Sequence, residues 1–575
     1  MTKAVFDIET DGLNATKIHC IVARCYASDK EKVWVGEECN QFAEWSGQID
    51  QFIMHNGISF DAPILNRLTG SNIKLSQVRD TLIESQLYNP IREGGHSLES
   101  WGERLNFPKG NMTEFKDYSP EMLEYCKKDT ELTSKLAKTM EEEGKKFSIR
   151  SYEMERKVRA IIDQQQKNGF AFNIREGMLL LARLEDEQHQ LEKDAEEMFE
   201  PIITYSPVKK IPKSTPFNIA SRKQIAERLM ELDWKPKQFG KEIKLKDGST
   251  KKNVVVSEEI LDKINMKEAQ MFSRYFLLQK RTGLLKAWVQ QCQEDERVRG
   301  KVLTLKTVTG RMAHHSPNMA QVPASYSPYG KECRELWTVS NPDTHVLVGT
   351  DASGLEIRCL AHYMNHPDLM CRGKGIELED KMIDAAKVFI REVLTGDVHT
   401  ANMKAAGLTN RDQAKTFIYA FLYGAGPAKI GKVVGGSAKQ GNILIRKFLK
   451  NMPALERLRQ NVMEASLNGF IKALDGRYLK IRSPHASLNT LLQGAGAIVC
   501  KQWLVHMDEH IRKTGVDVKL VASVHDEYQF EVAKKDVERF GKITKDAMLE
   551  TTKTLDMKCP LDCEYKVGNT WAETH

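Results

Sequence analysis

The stretch Val518–Val532, VKLVASVHDEYQFEV, constrains the fold more than any other. Two apolar runs flank His525-Asp526-Glu527, a pattern that predicts two strands joined by a tight turn. Asp and Glu are poor strand residues and are costly to bury without partners, so acids at the tip of an apolar hairpin need a chemical reason. A second stretch has the same character. Val346–Met364 reads VLVGTDASGLEIRCLAHYM: an apolar strand that delivers Asp351, a small turn at Ala352-Ser353-Gly354, and a helix. In that helix Leu355, Cys359 and Leu360 recur at helical spacing beside Glu356 and Arg358. Taken alone, Asp351 reads as an acidic helix cap. If the hairpin lies beside its strand, Asp351 and Asp526 form a site for two divalent metals acting on a phosphate ester.

The first quarter of the chain holds another acidic set. AVFDIET, Ala4 to Thr10, alternates as a strand does and puts Asp7 and Glu9 on one face. FIMHNGISFDAPIL then brings Asp61 to the start of an expected helix, and Tyr125 and Asp129 stand four apart on another. Each acid alone has a plain explanation: an exposed strand face, an ordinary N-cap, a solvated helix residue. Together, four carboxylates repel unless cations offset them, and they can chelate two hard divalent ions.

Between these regions the chain is helical and charged from Glu141 to about Glu200, with a hinge expected at Gly144 and a break at Asn168-Gly169. PVKKIPKSTP, Pro207 to Pro216, reads as a basic connector, and Lys235 to Lys252 as a basic hairpin or loop. Glu268 to Trp288 predicts a long helix bearing Arg274, Lys280 and Arg281. These cations are either solvated or available for sequence-independent contact with duplex phosphates. The 85 Lys and Arg against 78 Asp and Glu, a net charge of +7, permit a polyanionic partner without requiring one. The 11 cysteines include no zinc-ligand spacing and suit free thiols in a reducing cytoplasm. No apolar run approaches a membrane span, no signal peptide is expected, and a GxxxxGK[ST] phosphate loop is absent.

In the second half, Leu378, Met382, Ala385, Phe389 and Val393 trace an amphipathic helix, followed by Gly396-Asp397-Val398-His399. RDQAKTFIYAFLYGAG then sets Arg411, Lys415, Tyr419 and Tyr423 four apart, so they form one slowly drifting stripe on a helix. Two cations and then two aromatics suit a nucleoside triphosphate, while Ala414, Phe417, Ile418 and Phe421 supply the opposite, core-facing side. LDGRYLKIRSPHASLNTLLQGAGA adds a hairpin-like segment and a helix with Asn489 and Gln493 four apart.

The ordered set DIE, NGISFD and YCKKD resembles the 3′–5′ proofreading exonuclease domain of the DnaQ-like superfamily. DASGLEIRCLAH, RDQAKTFIYAFLYGAG and the HDE hairpin resemble motifs A, B and C of the family A DNA polymerases, the DNA polymerase I family. HSLESWG at His96 to Gly102 and RSPHASLNTLLQ match the style of the short replicative enzymes of podophages. The resemblance covers nearly the whole chain. It implies an α/β multidomain protein: an RNase H-like exonuclease domain over 1–143, thumb and connecting helices over 144–287, palm over 288–363 and 489–575, and fingers over 364–488. It implies Asp351, Asp526 and the Ala352 carbonyl as ligands of two Mg2+ ions, with Glu527 close by. Arg411, Lys415 and His399 would bind the triphosphate, Tyr419 would stack at the sugar, and Tyr423 would lie near the templating base. Glu356 would fill the place of a 2′-hydroxyl. Arg311, Asn489 and Gln493 would face the primer-terminal base pair and His525 the primer end. In the nuclease, Asp7, Glu9, Asp61 and Asp129 would hold two further ions, Mn2+ substituting, and Tyr125 would orient the attacking water.

Partners implied are primer-template DNA and dNTPs, with room for a helicase-primase and a single-stranded DNA-binding protein. A monomer in the host cytoplasm is expected, without a membrane. Two departures stand out. The segment from Pro367 to Leu394 is longer than usual in these enzymes. The stretch from Pro201 to Phe217 is short, so a thioredoxin-type processivity factor tethered there is not expected. Two other functions use parts of the same pattern: a single-subunit RNA polymerase, against which Glu356 and the complete nuclease set count, and a silent DNA-binding scaffold, against which both complete carboxylate sets count.

Overall fold

Alternation in AVFDIET produces a strand because Ala4, Val5, Phe6 and Ile8 can all be buried. In the computed structural model, which describes residues 2–205, 212–244, 249–366, 370, 380–396 and 398–575, this strand is β1 (Lys3–Thr10). It is the centre of a five-stranded sheet with β2 (Ile18–Cys25), β3 (Glu31–Val35), β4 (Gln51–Met54) and β5 (Val78–Asp80), in the order β3-β2-β1-β4-β5. β2 runs antiparallel to both β1 and β3, whereas β4 is parallel to β1 and β5 to β4. After β4 the chain turns into α1 (Asp61–Thr69), with Asp61 its first residue. α2 (Leu98–Arg104) follows, and α3 (Pro120–Gly144) packs across β1 and β2. Ser119 caps α3 through the Met122 N–H, and Pro120 sits in the first turn, where no N–H is needed. Gly144 ends α3 but is no loose hinge: a Cβ there would meet the Tyr88 hydroxyl at 2.7 Å.

α4 (Ile149–Asn168) joins the two halves of the molecule. On one side the Tyr152 hydroxyl accepts from the Asp80 N–H at 2.6 Å, and Arg156 donates to the Ser76 carbonyl at 3.0 Å. On the other, the fully buried Glu155 takes Lys501 at 2.8 Å and Arg477 at 2.7 Å. Arg477 also holds Asp475 at 2.7 Å, and Lys501 donates to the Thr304 carbonyl at 2.7 Å. Burial pushes Lys501 down to about 8 although Glu155 opposes it. Burial also works against the charge on Arg477, but Asp475 and Glu155 hold it above its usual range.

α5 (Ile174–Met198) and α6 (Lys267–Gln291) form a packed pair with a core of their own that includes Phe217, Ile225 and Phe272. The basic connector expected at Pro207 to Pro216 is a hairpin arm in part. Pro212–Thr215 pairs antiparallel with Ile202–Tyr205, and residues 206–211 lie outside the described ones. Proline is tolerated there because it opens a strand of a two-stranded ribbon. The expected hairpin at Lys235 to Lys252 forms from Phe239–Lys244 and Thr250–Val254, with residues 245–248 outside the description. The cations of α6 are engaged within the chain: Arg274 with Glu187, Lys280 with Glu258, and Arg281 with the Pro328 carbonyl.

The second sheet carries the acids that the apolar strands deliver. β6 (His345–Ala352) leads through Gly354, at φ +58°, into α7 (Leu355–Met364). α8 (Asp380–Thr395) buries Ala386 and Phe389 and packs on α7; Leu378 and Asp397 lie outside the described residues, as do 367–369 and 371–379. Next come α9 (Val398–Ala406), α10 (Arg411–Leu422), a hairpin of β7 (Phe470–Lys472) and β8 (Tyr478–Lys480), and α11 (Ser487–Thr514). The predicted hairpin is β9 (Val518–Val524) and β10 (Glu527–Ala533), followed by α12 (Val537–Thr554), β11 (Cys563–Gly568) and α13 (Trp571–Thr574). The antiparallel order is β9-β10-β6-β11, so the hairpin does lie beside the Asp351 strand. Among the described residues no helix is long and apolar enough to cross a membrane, and the cysteines, Cys559 and Cys563 included, are free thiols.

Removing one partner from a buried ion network leaves the others unpaired. Glu155→Gln should therefore destabilise the protein by ~3–5 kcal/mol in urea unfolding. A change below ~0.5 kcal/mol, the usual size of a neutral surface substitution, would mean that the network contributes nothing net.

Candidate active sites

The first site sits where β6 and the β9–β10 turn meet. Asp351 and Glu527 are register partners, and the Ala352 N–H donates to the Asp526 carbonyl at 3.2 Å. His525 holds the tight turn at φ +58°, and Asp526 follows it at the tip. A cavity of about 550 Å³ opens over this floor, lined by Asp351, Ala352, Asp526, His525, Glu356, Arg311, Tyr419 and Tyr423. The Asp351 carboxylate lies deep between the cavity walls yet is open to the solvent inside. Burial, then Asp526, Glu527, Glu564 and Glu356, push it up to about 7. Burial and Glu356 raise Asp526 as well.

Glu527 is different. Trp571 Nε1 donates to it at 2.6 Å, His575 Nδ1 lies at 2.6 Å from its other oxygen, and Gln529 also donates. Burial alone would raise this carboxyl, but His575, Gln529 and Trp571 outweigh it and hold it below the usual range. Expected beside the metals, Glu527 has both oxygens committed to the far side of the hairpin.

α10 presents its stripe as the spacing predicts. Ala414, Phe417, Ile418 and Leu422 are buried, with Phe421 only partly so, while Arg411 and Lys415 are exposed and pair with no carboxylate among the described residues. His399 lies near them: burial and the charges of Arg411 and Lys415 lower it, and its ring centre is 6.1 Å from that of Tyr419. The Tyr423 hydroxyl donates to Glu356 at 2.7 Å, and Arg311 reaches the same oxygen at 3.4 Å. Arg411, Lys415 and His399 do not line the cavity itself. Nor do Asn489 and Gln493, which bond to each other at 3.1 Å while Asn489 donates to the Leu422 carbonyl at 2.6 Å. His314 and Lys501 do line it, and neither is singled out by the sequence, because a His in a polar loop and a Lys in a helix carry no pattern.

The second site gathers all four acids of the first quarter. Burial raises Asp7 well above its ordinary value, with Glu9, Asp61 and Asp129 adding to it. Burial and then Asp129 bring Glu9 up to about 8, and burial brings Asp61 up to about 7. Asp129 is 3% exposed, and its Oδ1 has no hydrogen-bond partner among the described residues. Ligand atoms of Asp7, Glu9 and Cys126 lie within 4.8 Å of one another. A buried, orphaned carboxylate oxygen beside like-charged oxygens fits a hard divalent cation. At the first site Asp351, Asp526 and Glu356 line one cavity.

Asp80, missed in the sequence, sets the loop that carries Asp61: its carboxylate accepts from the Asn56 N–H at 3.0 Å and the Ile58 N–H at 3.2 Å. Lys109, also missed, pairs with Asp129 at 2.7 Å and lies over the Tyr125 ring.

Residues 181–573 match the family described as DNA polymerase family A. The chain is 28% identical to the DNA-directed DNA polymerase of Enterobacteria phage T3, over 99% of this chain and all of that one. The DNA-directed DNA polymerase of Escherichia phage T7 gives the same identity and coverage. That of Escherichia phage Phieco32 is 36% identical over 44% of this chain and 41% of its own length. Among solved structures, the POL domain of Pol1 from M. smegmatis, in complex with DNA primer-template and dNTP, superposes with a TM-score of 0.75 at 16% identity, covering 100% of this chain and 96% of that one.

The raised acids fix the sign of a pH effect. An acid whose folded value lies above its unfolded one stabilises the fold below about pH 4 and loses that contribution as pH rises through the folded value. With Glu9 at about 8, Asp61 at about 7 and Asp351 at about 7, this loss spans roughly pH 4 to 8 without metal. In calorimetry, MnCl2 should raise the unfolding temperature more at pH 8.5 than at pH 6, and Glu9→Gln should flatten the decline in EDTA. A metal effect that shrinks as pH rises would contradict this assignment.

Proposed function

Since the chain belongs to DNA polymerase family A, we propose that its two acid clusters perform opposed reactions on one primer end. The protein is a DNA-directed DNA polymerase of the phage type, with the mixed α/β fold of that family. The observation that carries the polymerase assignment to residues is the meeting of Asp351, at the end of its strand, with Asp526, in the adjoining hairpin turn, under a cavity edged by Glu356 and Tyr423.

Family A enzymes use divalent metals; two Mg2+ ions at each centre, with Mn2+ able to replace them, is the finer proposal. At the polymerase centre Asp351, Asp526 and the Ala352 carbonyl would hold them, and the ions supply positive charge to the attacking 3′ oxygen and the leaving pyrophosphate. Arg411 and Lys415, cations without acid partners among the described residues, bind the triphosphate together with His399. Tyr419 lies under the sugar and Tyr423 beside the templating base. Tyr423 and Arg311 hold Glu356 where a 2′-hydroxyl would come, which selects dNTPs by exclusion. Arg311, with Asn489 and Gln493, contacts the minor groove of the primer-terminal pair, and His525 approaches the primer end. Glu527, tied to Trp571 and His575, shapes the hairpin tip and adds negative charge behind Asp351.

In the region 1–143, an RNase H-like nuclease, Asp7, Glu9, Asp61 and Asp129 would hold the ions for 3′–5′ hydrolysis, and Tyr125 would orient the water. Thumb and connecting helices occupy 144–287, palm 288–363 and 489–575, and fingers 364–488. DNA and nucleotide are the partners. A helicase-primase and a single-stranded DNA-binding protein are further candidates, a thioredoxin-type factor is not, and the working form is a monomer in the host cytoplasm.

Asp351→Asn and Asp526→Asn should each slow primer extension roughly a thousandfold, the scale of several kcal/mol of lost charge stabilisation, while leaving 3′ degradation intact. Asp7→Ala with Glu9→Ala should do the reverse. Joint loss of both activities in either variant would sink the two-centre assignment. Glu356→Ala should raise use of NTPs relative to dNTPs by ~10–100-fold, the range for relief of a tight pocket contact. Unchanged discrimination would remove Glu356 from sugar selection.

A further inference from the structure

One cation among the nuclease acids has no part in the roles above. Lys109 lies between α2 and α3, with Nζ 2.7 Å from Asp129 Oδ2 and 4.9 Å from the centre of the Tyr125 ring. The loop that carries it is closely built. A Cβ on Gly102 of α2 would meet the Phe107 carbonyl oxygen at 2.8 Å and the Lys109 nitrogen at 3.0 Å. One on Gly110 would meet Tyr125 Cδ2 at 3.0 Å. His19 Nε2 lies 3.0 Å from the Phe115 carbonyl oxygen, and Phe115 meets Tyr125 edge-on, with ring centres 6.2 Å apart. FPKGNMTEF is thereby packed onto α2, β2 and Tyr125, and it sets one ammonium at the mouth of the acid cluster with its side chain 25% exposed.

An ordinary surface lysine pairs with an exposed acid and contributes little. Lys109 instead pairs with an almost fully buried acid whose other oxygen has no partner among the described residues. Once divalent cations occupy the acids, an ammonium bound to Asp129 stands against like charge and needs another anion. A phosphodiester held over Asp7, Glu9 and Asp129 puts one within reach, and the four-carbon stem lets Nζ turn to it without moving the loop.

Resting on the nuclease assignment above, we propose that Lys109 is a phosphate-binding residue of that site, donating to a non-bridging oxygen of the scissile phosphodiester at the primer 3′ end. Lys109 keeps its proton throughout and acts by charge, so no bond forms or breaks at Nζ.

The test compares the full-length wild type with Lys109→Met and Lys109→Arg, using Asp7→Ala with Glu9→Ala as the reference for a lost site. Two quantities are read: single-turnover release of dTMP from a single-stranded 3′ end, and calorimetric affinity for dTMP against thymidine in MnCl2. Lys109→Met is expected to slow release ~100-fold, as loss of one preorganised charge contact does. It should weaken dTMP binding ~tenfold or more with thymidine unchanged, the scale of a charged hydrogen bond. Lys109→Arg should keep dTMP affinity within ~threefold of wild type, because it keeps the charge, and extension should be unchanged in both variants.

The proposal is overturned if Lys109→Met binds dTMP as the wild type does or more tightly, which marks Lys109 as a counter-ion of Asp129 alone. It is also overturned if Lys109→Arg loses as much as Lys109→Met and both unfold at lower temperature, the mark of a loop-packing role. Retained release in the Asp7→Ala with Glu9→Ala reference would be a different failure, that of the nuclease assignment itself.

Discussion

Glu155, sealed on α4 between Lys501 and Arg477, fixes the relation between the two halves of this molecule. A buried network of two acids and two cations is a weak source of net stability, because desolvation offsets most of the Coulomb gain. Its effect is geometric. Lys501 lies at the cavity edge on α11 and binds the Thr304 carbonyl, while Arg477 comes from the β7–β8 hairpin. The same helix, one turn on, reaches the loop before Asp61: Arg159 donates to Ser59 at 2.6 Å and to Asn56 at 3.1 Å, and Asp163 accepts from Ser59 at 2.5 Å. The loop that presents Asp61 and the floor beside Asp351 are therefore both anchored on one helix.

Both centres concentrate negative charge where burial and like charges oppose ionisation. The fold answers them differently. In the first quarter of the chain, Asp7, Glu9, Asp61 and Asp129 act on one another and Lys109 pairs with Asp129. Around the other cavity Asp351, Asp526 and Glu356 line the wall, while Glu527 is drawn away by Trp571 and His575. Glu356 is held to the side by Tyr423 and Arg311.

The fold and the acids were legible because they rest on local patterns. Period-two alternation located β1 with Asp7 and Glu9, an apolar strand ending in an acid located Asp351, and two apolar runs around HDE located β9 and β10. Four-residue spacing on α10 placed the Arg411 to Tyr423 stripe and its buried back. Pairings between distant side chains were not legible. Lys501 and Glu155 are 346 residues apart, and Trp571 and Glu527 are 44 apart, so neither leaves a periodic signal. Lys109 sits in a loop, where position is set by close backbone packing against Gly102 and Tyr125. The strand at Pro212–Thr215 was read as a connector because its prolines and lysines outweigh a short β pattern.

The claim on which the rest turns is that one chain carries two separate divalent-metal centres. Anomalous diffraction at the manganese edge, from crystals soaked in MnCl2 with primer-template DNA and dNTP, tests it most directly. Peaks are expected at two places: among Asp7, Glu9, Asp61 and Asp129, and between Asp351 and Asp526. Manganese at only one of these clusters, or bound instead at Glu527, would contradict it.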